Sequence, residues 1–82
     1  MAEHQGLPVS GYRPQSDNAV ALVNNNKHAE ECVLRVIDDL AAAGDVDPCW
    51  LEIAREHIEL GFMALNRAIF RPSRILLPED GQ

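Results

Sequence analysis

The sequence predicts an all-α fold: an antiparallel helical hairpin with a short N-terminal arm, assembled as a homo-oligomer. Three observations predict it. Two long stretches carry apolar residues at spacings of three and four, the period of a helix face. The turn sequence Gly44-Asp45-Val46-Asp47-Pro48 divides them. The second stretch also carries a second apolar stripe, which one partner helix cannot cover.

Residues 1–15 are expected to form the arm, 16–71 the hairpin domain and 72–82 a C-terminal tail. Gly6, Pro8, Gly11 and Pro14 rule out a helix in the arm, and Leu7, Val9 and Tyr12 give it groups to dock with. Ser16 or Asp17 can cap the first helix. Its apolar face runs through Val20, Leu22, Val23, Ala29, Val33, Val36, Ile37 and Leu40, and Gly44 fits the position just past its end. Asn24-Asn25-Asn26 is its weak point, because asparagine is a poor interior helix residue. Apolar residues flank that run in helical phase, so the helix is expected to continue through it and to present amide groups beside Lys27.

Asp47 is a good N-cap for the second helix and Pro48 suits its first position. The main stripe is Leu51, Ala54, Ile58, Gly61, Phe62, Leu65, Ala68 and Ile69. Pro72 disfavours helical geometry in the residue before it, so the helix stops near Arg71. Gly61 lowers helix stability, which suggests a close backbone approach there. Helices of about 27 and 24 residues would be roughly 40 and 36 Å long. The second stripe, Trp50, Ile53, Leu60, Met63 and Phe70, is what calls for further copies of the chain. Residues 73–82 look like a loose tail, with no assigned place for Ile75, Leu76 and Leu77.

Composition excludes several classes. With 82 residues the chain is one domain at most and short of surface to bury alone. No apolar run approaches the ~20 residues of a membrane span. Met1 to Gly6 has no basic start and no apolar run, so a reducing cytoplasm with Cys32 and Cys49 as free thiols is expected. The net charge of −6 argues against coating a DNA or RNA polymer, which needs a broad cationic face.

The charges are nevertheless segregated. Residues 30–59 hold nine acids against Arg35 and Arg55, whereas residues 60–77 hold Arg67, Arg71 and Arg74 and no acid. Folding at Val46 brings Lys27 level with Arg67, because they lie 19 residues before it and 21 after it. Arg71, Arg74 and, from the arm, Arg13 can join them. The hairpin thus has an acidic shaft and tip and a basic open end, suited to a small anion. Arg67 lies in a largely apolar stretch with Glu59 as its nearest acid in sequence, and a buried charge needs a partner.

Other chemistry is poorly represented. His57 lacks a second histidine four residues away, and the cysteines lack paired spacing, so no metal is expected. No base is fixed beside a cysteine, no carboxylate pair sits in an apolar setting, and there is no phosphate loop. The chain offers groups to hold a phosphate and none to break one, so it is not expected to be an enzyme and needs no cofactor. Gly11-Tyr12-Arg13 could lay a ring on a purine with a guanidinium on phosphate. Taken alone, the tripeptide fits a docking tyrosine and a solvated arginine better.

Gly-Tyr-Arg at 11–13, Asn24 with Lys27, and the run from Asp47-Pro48 and Trp50-Leu51 through Ile53-Ala54-Arg55 to Gly61-Phe62-Met63-Ala64-Leu65-Asn66-Arg67-Ala68 together resemble the small phage anti-CBASS sponges. These share a helical hairpin domain with some phage anti-Thoeris sponges. The resemblance spans roughly residues 10–70, and Gly-Phe-Met-Ala-Leu is its most specific part. It implies a homohexamer in the host bacterial cytoplasm that sequesters cyclic dinucleotides, and in some members cyclic trinucleotides, without cleaving them. It carries the arm aromatic onto Tyr12, the first-helix lysine onto Lys27 and the late second-helix arginine onto Arg67. With Arg13, Asn66 and Arg71 these make up the candidate ligand-binding set. The competing expectation is a small acidic helical oligomer that acts as a protein–protein interaction module.

Overall fold

A computed structural model of the chain describes residues 9–81, with the backbone of residues 3 and 4. Leu7, expected to dock the arm, lies outside the described residues. The order is strand β1 (Glu3–His4), strand β2 (Gln15–Ser16), helix α1 (Asp17–Ala43), helix α2 (Pro48–Phe70) and a 3-10 turn at Pro78–Gly81.

Helix α1 starts at Ser16, whose side-chain oxygen accepts a hydrogen bond from the Ala19 N–H at 3.1 Å. It runs unbroken through Asn24-Asn25-Asn26 and ends where Gly44 turns left-handed at φ 74°, its N–H donating to the Leu40 carbonyl at 3.2 Å. Helix α2 starts at Asp47, whose carboxylate accepts from the N–H groups of Cys49 at 2.8 Å and Trp50 at 3.3 Å. Pro48 follows in the first turn, where its missing N–H removes no helical bond. Arg71 closes this helix, also left-handed (φ 48°), with its N–H on the Arg67 carbonyl at 2.8 Å.

The helices are antiparallel. Asn26 reaches Asn66 and Asp38 reaches Arg55, so the register descends along one helix as it rises along the other. In the seam only Val23 (5 % exposed) and Ile37 (4 %) are buried. Val20, Val33 and Leu34 of α1 and Leu51, Ala54, Ile58, Phe62 and Ile69 of α2 are half-buried around them. The covered stripe is narrower than the sequence suggests. Leu22, Val36, Leu40 and Leu65 stay largely exposed, as do Ala29 and Ala68, because a single neighbouring helix covers only one line of side chains. The second stripe lies open, with Trp50 69 %, Leu60 59 % and Met63 62 % exposed.

Three expectations need correction. The fold is mostly but not wholly helical: β1 and β2 pair antiparallel, Glu3 opposite Ser16 and His4 opposite Gln15. Gly61 makes no close approach among the described residues, since a Cβ there would meet nothing within 4 Å. The tail is not loose where it leaves α2, because the Ser73 N–H donates to the Gly11 carbonyl at 2.8 Å.

The molecule measures 59 × 36 × 17 Å with a radius of gyration of 17.6 Å, against about 12 Å for a compact domain of this length. Its accessible surface of 6610 Å² is roughly a third more than the ~4,900 Å² of a monomer of its mass. No helix among the described residues is long and apolar enough to cross a membrane.

Candidate functional site

The open end of the hairpin is built by three pieces: the arm, the middle of α1 and the last turns of α2. The arm reaches it through a turn in which the Tyr12 N–H donates to the Val9 carbonyl at 3.2 Å. Gly11 occupies the third position of that turn with φ +92°, a conformation that favours glycine. Gln15 then ties the arm to α2. Its side-chain amide donates to the Phe70 carbonyl at 2.9 Å and to the Arg13 carbonyl at 3.2 Å. Phe70 is in the last turn of α2, so Gln15 also satisfies a carbonyl that the helix cannot.

Two open depressions result. Tyr12, Met63, Asn66, Arg67, Phe70 and Pro72 line one of about 200 Å³. Lys27 lies in the next, about 400 Å³, with Val23, Glu30, Glu59, Met63, Asn66 and Phe70. Met63, Asn66 and Phe70 form the ridge common to both. Asn66 is held there by Asn26, whose Nδ2 donates to its Oδ1 at 3.1 Å. Tyr12, Asn66 and Arg67 are therefore together, and Lys27 is across the ridge from Arg67. Arg13 and Arg71 line neither depression, although each adjoins in sequence a residue that does, Tyr12 and Pro72.

The electrostatics divide along the hairpin. Arg35 pairs with Glu31 at 2.9 Å, and Arg55 pairs with Asp38 at 2.9 Å and Glu52 at 3.8 Å. The hydrogen bond that Arg55 donates to Asp38 raises its guanidinium further above its ordinary range, as the one Arg35 donates to Glu31 does for Arg35. Among the described residues, Arg13, Lys27, Arg67, Arg71 and Arg74 have no carboxylate within 4 Å. The shaft's cations are neutralised and those of the open end are not. Two expectations are corrected here: Arg67 is exposed and not buried in its apolar stretch, and Glu30 and Glu59 both border the Lys27 depression.

The sequence profile of the Acb2/Tad1 hairpin domain matches residues 7–70. The chain belongs to this family of anti-CBASS and anti-Thoeris sponges. No significant match was found among curated proteins or solved structures. An Acb2/Tad1 hairpin is a ligand-binding sponge domain of phage anti-defence, not of a known enzyme family, so membership implies binding of small signalling molecules. Among the described residues, no three His, Cys, Asp or Glu side chains gather where they could hold a metal ion.

Sequence reasoning missed several residues of this Acb2/Tad1 open end. Met63 and Phe70 read as part of an outer apolar stripe, yet they make the shared ridge. Pro72 read only as a helix stop, and it lines the Tyr12 depression. Gln15 and Ser73 carry no local signal, since each bonds to a partner 55 or 62 residues away.

Proposed function

We propose that this chain is a non-catalytic sponge for cyclic oligonucleotide second messengers. It captures cyclic dinucleotides, and cyclic trinucleotides as a further class, and so keeps bacterial CBASS antiphage signalling silent in the host cytoplasm. One observation carries the reading: exposed Tyr12 shares a depression with Arg67 and Asn66, Lys27 lies across the ridge, and neither cation has a carboxylate within 4 Å among the described residues. A cyclic dinucleotide presents two phosphates and two flat bases to such a place. Arg67, Lys27, Arg13 and Arg71 meet phosphate, Tyr12 stacks on a base, and Asn66 offers an amide to a base edge.

The depressions of about 200 and 400 Å³ are small and open for a ligand of that size. This favours a site completed by another copy of the chain. The surplus surface and the bare Trp50–Leu60–Met63 stripe favour the same arrangement, a homo-oligomer and by family a hexamer. At an interface, water is thinned out and each charge–phosphate contact gains strength.

The test is to mix the chain with a panel of cyclic oligonucleotides, then denature it and weigh what is released. Intact nucleotide is expected. Linear products accumulating with time would refute the non-catalytic reading. If no nucleotide shifts the melting temperature, the interaction-module alternative takes its place. Lys27→Ala and Arg67→Ala should each abolish calorimetric binding of cyclic dinucleotide, and Tyr12→Ala should reduce it to a weak but measurable remnant, while the assembly keeps its mass.

A further inference from the structure

The family match ends at residue 70, and the chain then does something specific with the next few residues. It crosses back to the arm. The Ser73 N–H donates to the Gly11 carbonyl at 2.8 Å, and the Ser73 hydroxyl lies 3.4 Å from the same oxygen. The approach is close enough that a Cβ on Gly11 would sit 2.5 Å from the Ser73 carbonyl oxygen, which is backbone and cannot swing aside. Ile75 lies against the same spot, its Cγ2 3.4 Å from that Cβ position. Four residues further along the arm, Gln15 bonds the Phe70 carbonyl at 2.9 Å.

The arm is thus pinned at two points, Gly11 to Ser73 and Gln15 to Phe70. Tyr12 and Arg13 lie between the pins on one strand, and Pro72 lies between them on the other. Tyr12 and Pro72 border the same depression. We infer that residues 72–75 form a latch that positions Tyr12 for the ligand, with Gly11 and Ser73 as positioning residues and Pro72 as part of the wall. The inference rests on the sponge reading for the identity of the ligand. Without the latch, the ring would be tied near the depression only through Gln15 and the β1–β2 ladder to either side of it, and it would spend its time in several orientations. A stacking contact loses affinity when its ring must first be ordered.

The test breaks the latch from both sides. Ser73→Pro removes the backbone donor. Gly11→Ala brings a Cβ against backbone and demands φ +92° of an alanine. Ser73→Ala keeps the backbone donor and is the conservative rescue. Calorimetry with an adenine–guanine cyclic dinucleotide should show Ser73→Pro and Gly11→Ala weaker by between about fivefold and a hundredfold, the range of one base–aromatic stack. Ser73→Ala should bind as the wild type does. In a Tyr12→Ala chain, Ser73→Pro should weaken whatever binding remains no further, because the latch acts through Tyr12.

Wild-type affinity in both latch variants would overturn the inference. So would an equal further loss from Ser73→Pro in the Tyr12→Ala chain. Hydrogen exchange on the wild-type protein supplies a measurement free of any folding defect. The Ser73 amide should be protected, and free exchange there would show that no latch exists. A wild type that binds no cyclic nucleotide would instead bring down the sponge reading, and the latch's role with it.

Discussion

At the scale of single residues, the turn is the part governed by local rules. Gly44 sits at φ 74° with open space around it, so Gly44→Ala is resisted by backbone conformation alone. It should cost about 1–2 kcal/mol, read from the denaturant midpoint. Asp47→Ala removes the acceptor for two N–H groups and should cost about 1 kcal/mol. Arg71 presents the opposite case, a non-glycine residue held left-handed at φ 48°. Arg71→Gly should raise stability by up to about 1 kcal/mol while deleting a cation of the open end. Gly44 and Asp47 were legible in the sequence because a cap depends on its immediate neighbours. The Asn26–Asn66 bond was not, because nothing in either residue's surroundings names a partner 40 positions away.

Among elements, the helices were readable and the choice of inner face was less so. Apolar periodicity places both stripes on α2, but it assigns Leu65 and Ala68 to the seam in preference to Asn66 and Arg55. The structure gives half-buried places to Asn66 and Arg55 because each has a partner across the hairpin, Asn26 and Asp38. A pattern built on hydrophobicity cannot see a paired polar group. The β1–β2 ladder is two residues a side, too short for alternation to register. For the outer stripe a direct expectation follows. Leu60 is 59 % exposed in the single chain, so Leu60→Glu should leave an isolated hairpin almost unaffected. If that face meets another copy, the variant should fall to a smaller species in sedimentation, and an unchanged mass would excuse the stripe from assembly.

For the molecule as a whole, two buried residues among those described make a thin core. Small domains sit close to the limit of independent stability, and folding linked to association makes melting depend on concentration. The melting temperature should therefore climb as protein is added, and a flat dependence would show that one hairpin stands alone. Ligand affinity should fall with added salt, since the groups concerned are exposed and screening acts within about 10 Å at 0.1 M. The segregation of charge has one more consequence. In the proposed sponge, the basic rim would attract phosphate esters of every kind alike. Discrimination would then have to come from surfaces that carry no charge: the flat faces of Tyr12 and Phe70, the pliable Met63 and the stiff ring of Pro72, all of which line one depression. On that proposal arginines would crowd the doorway with visitors, and hydrocarbon would decide which of them is kept.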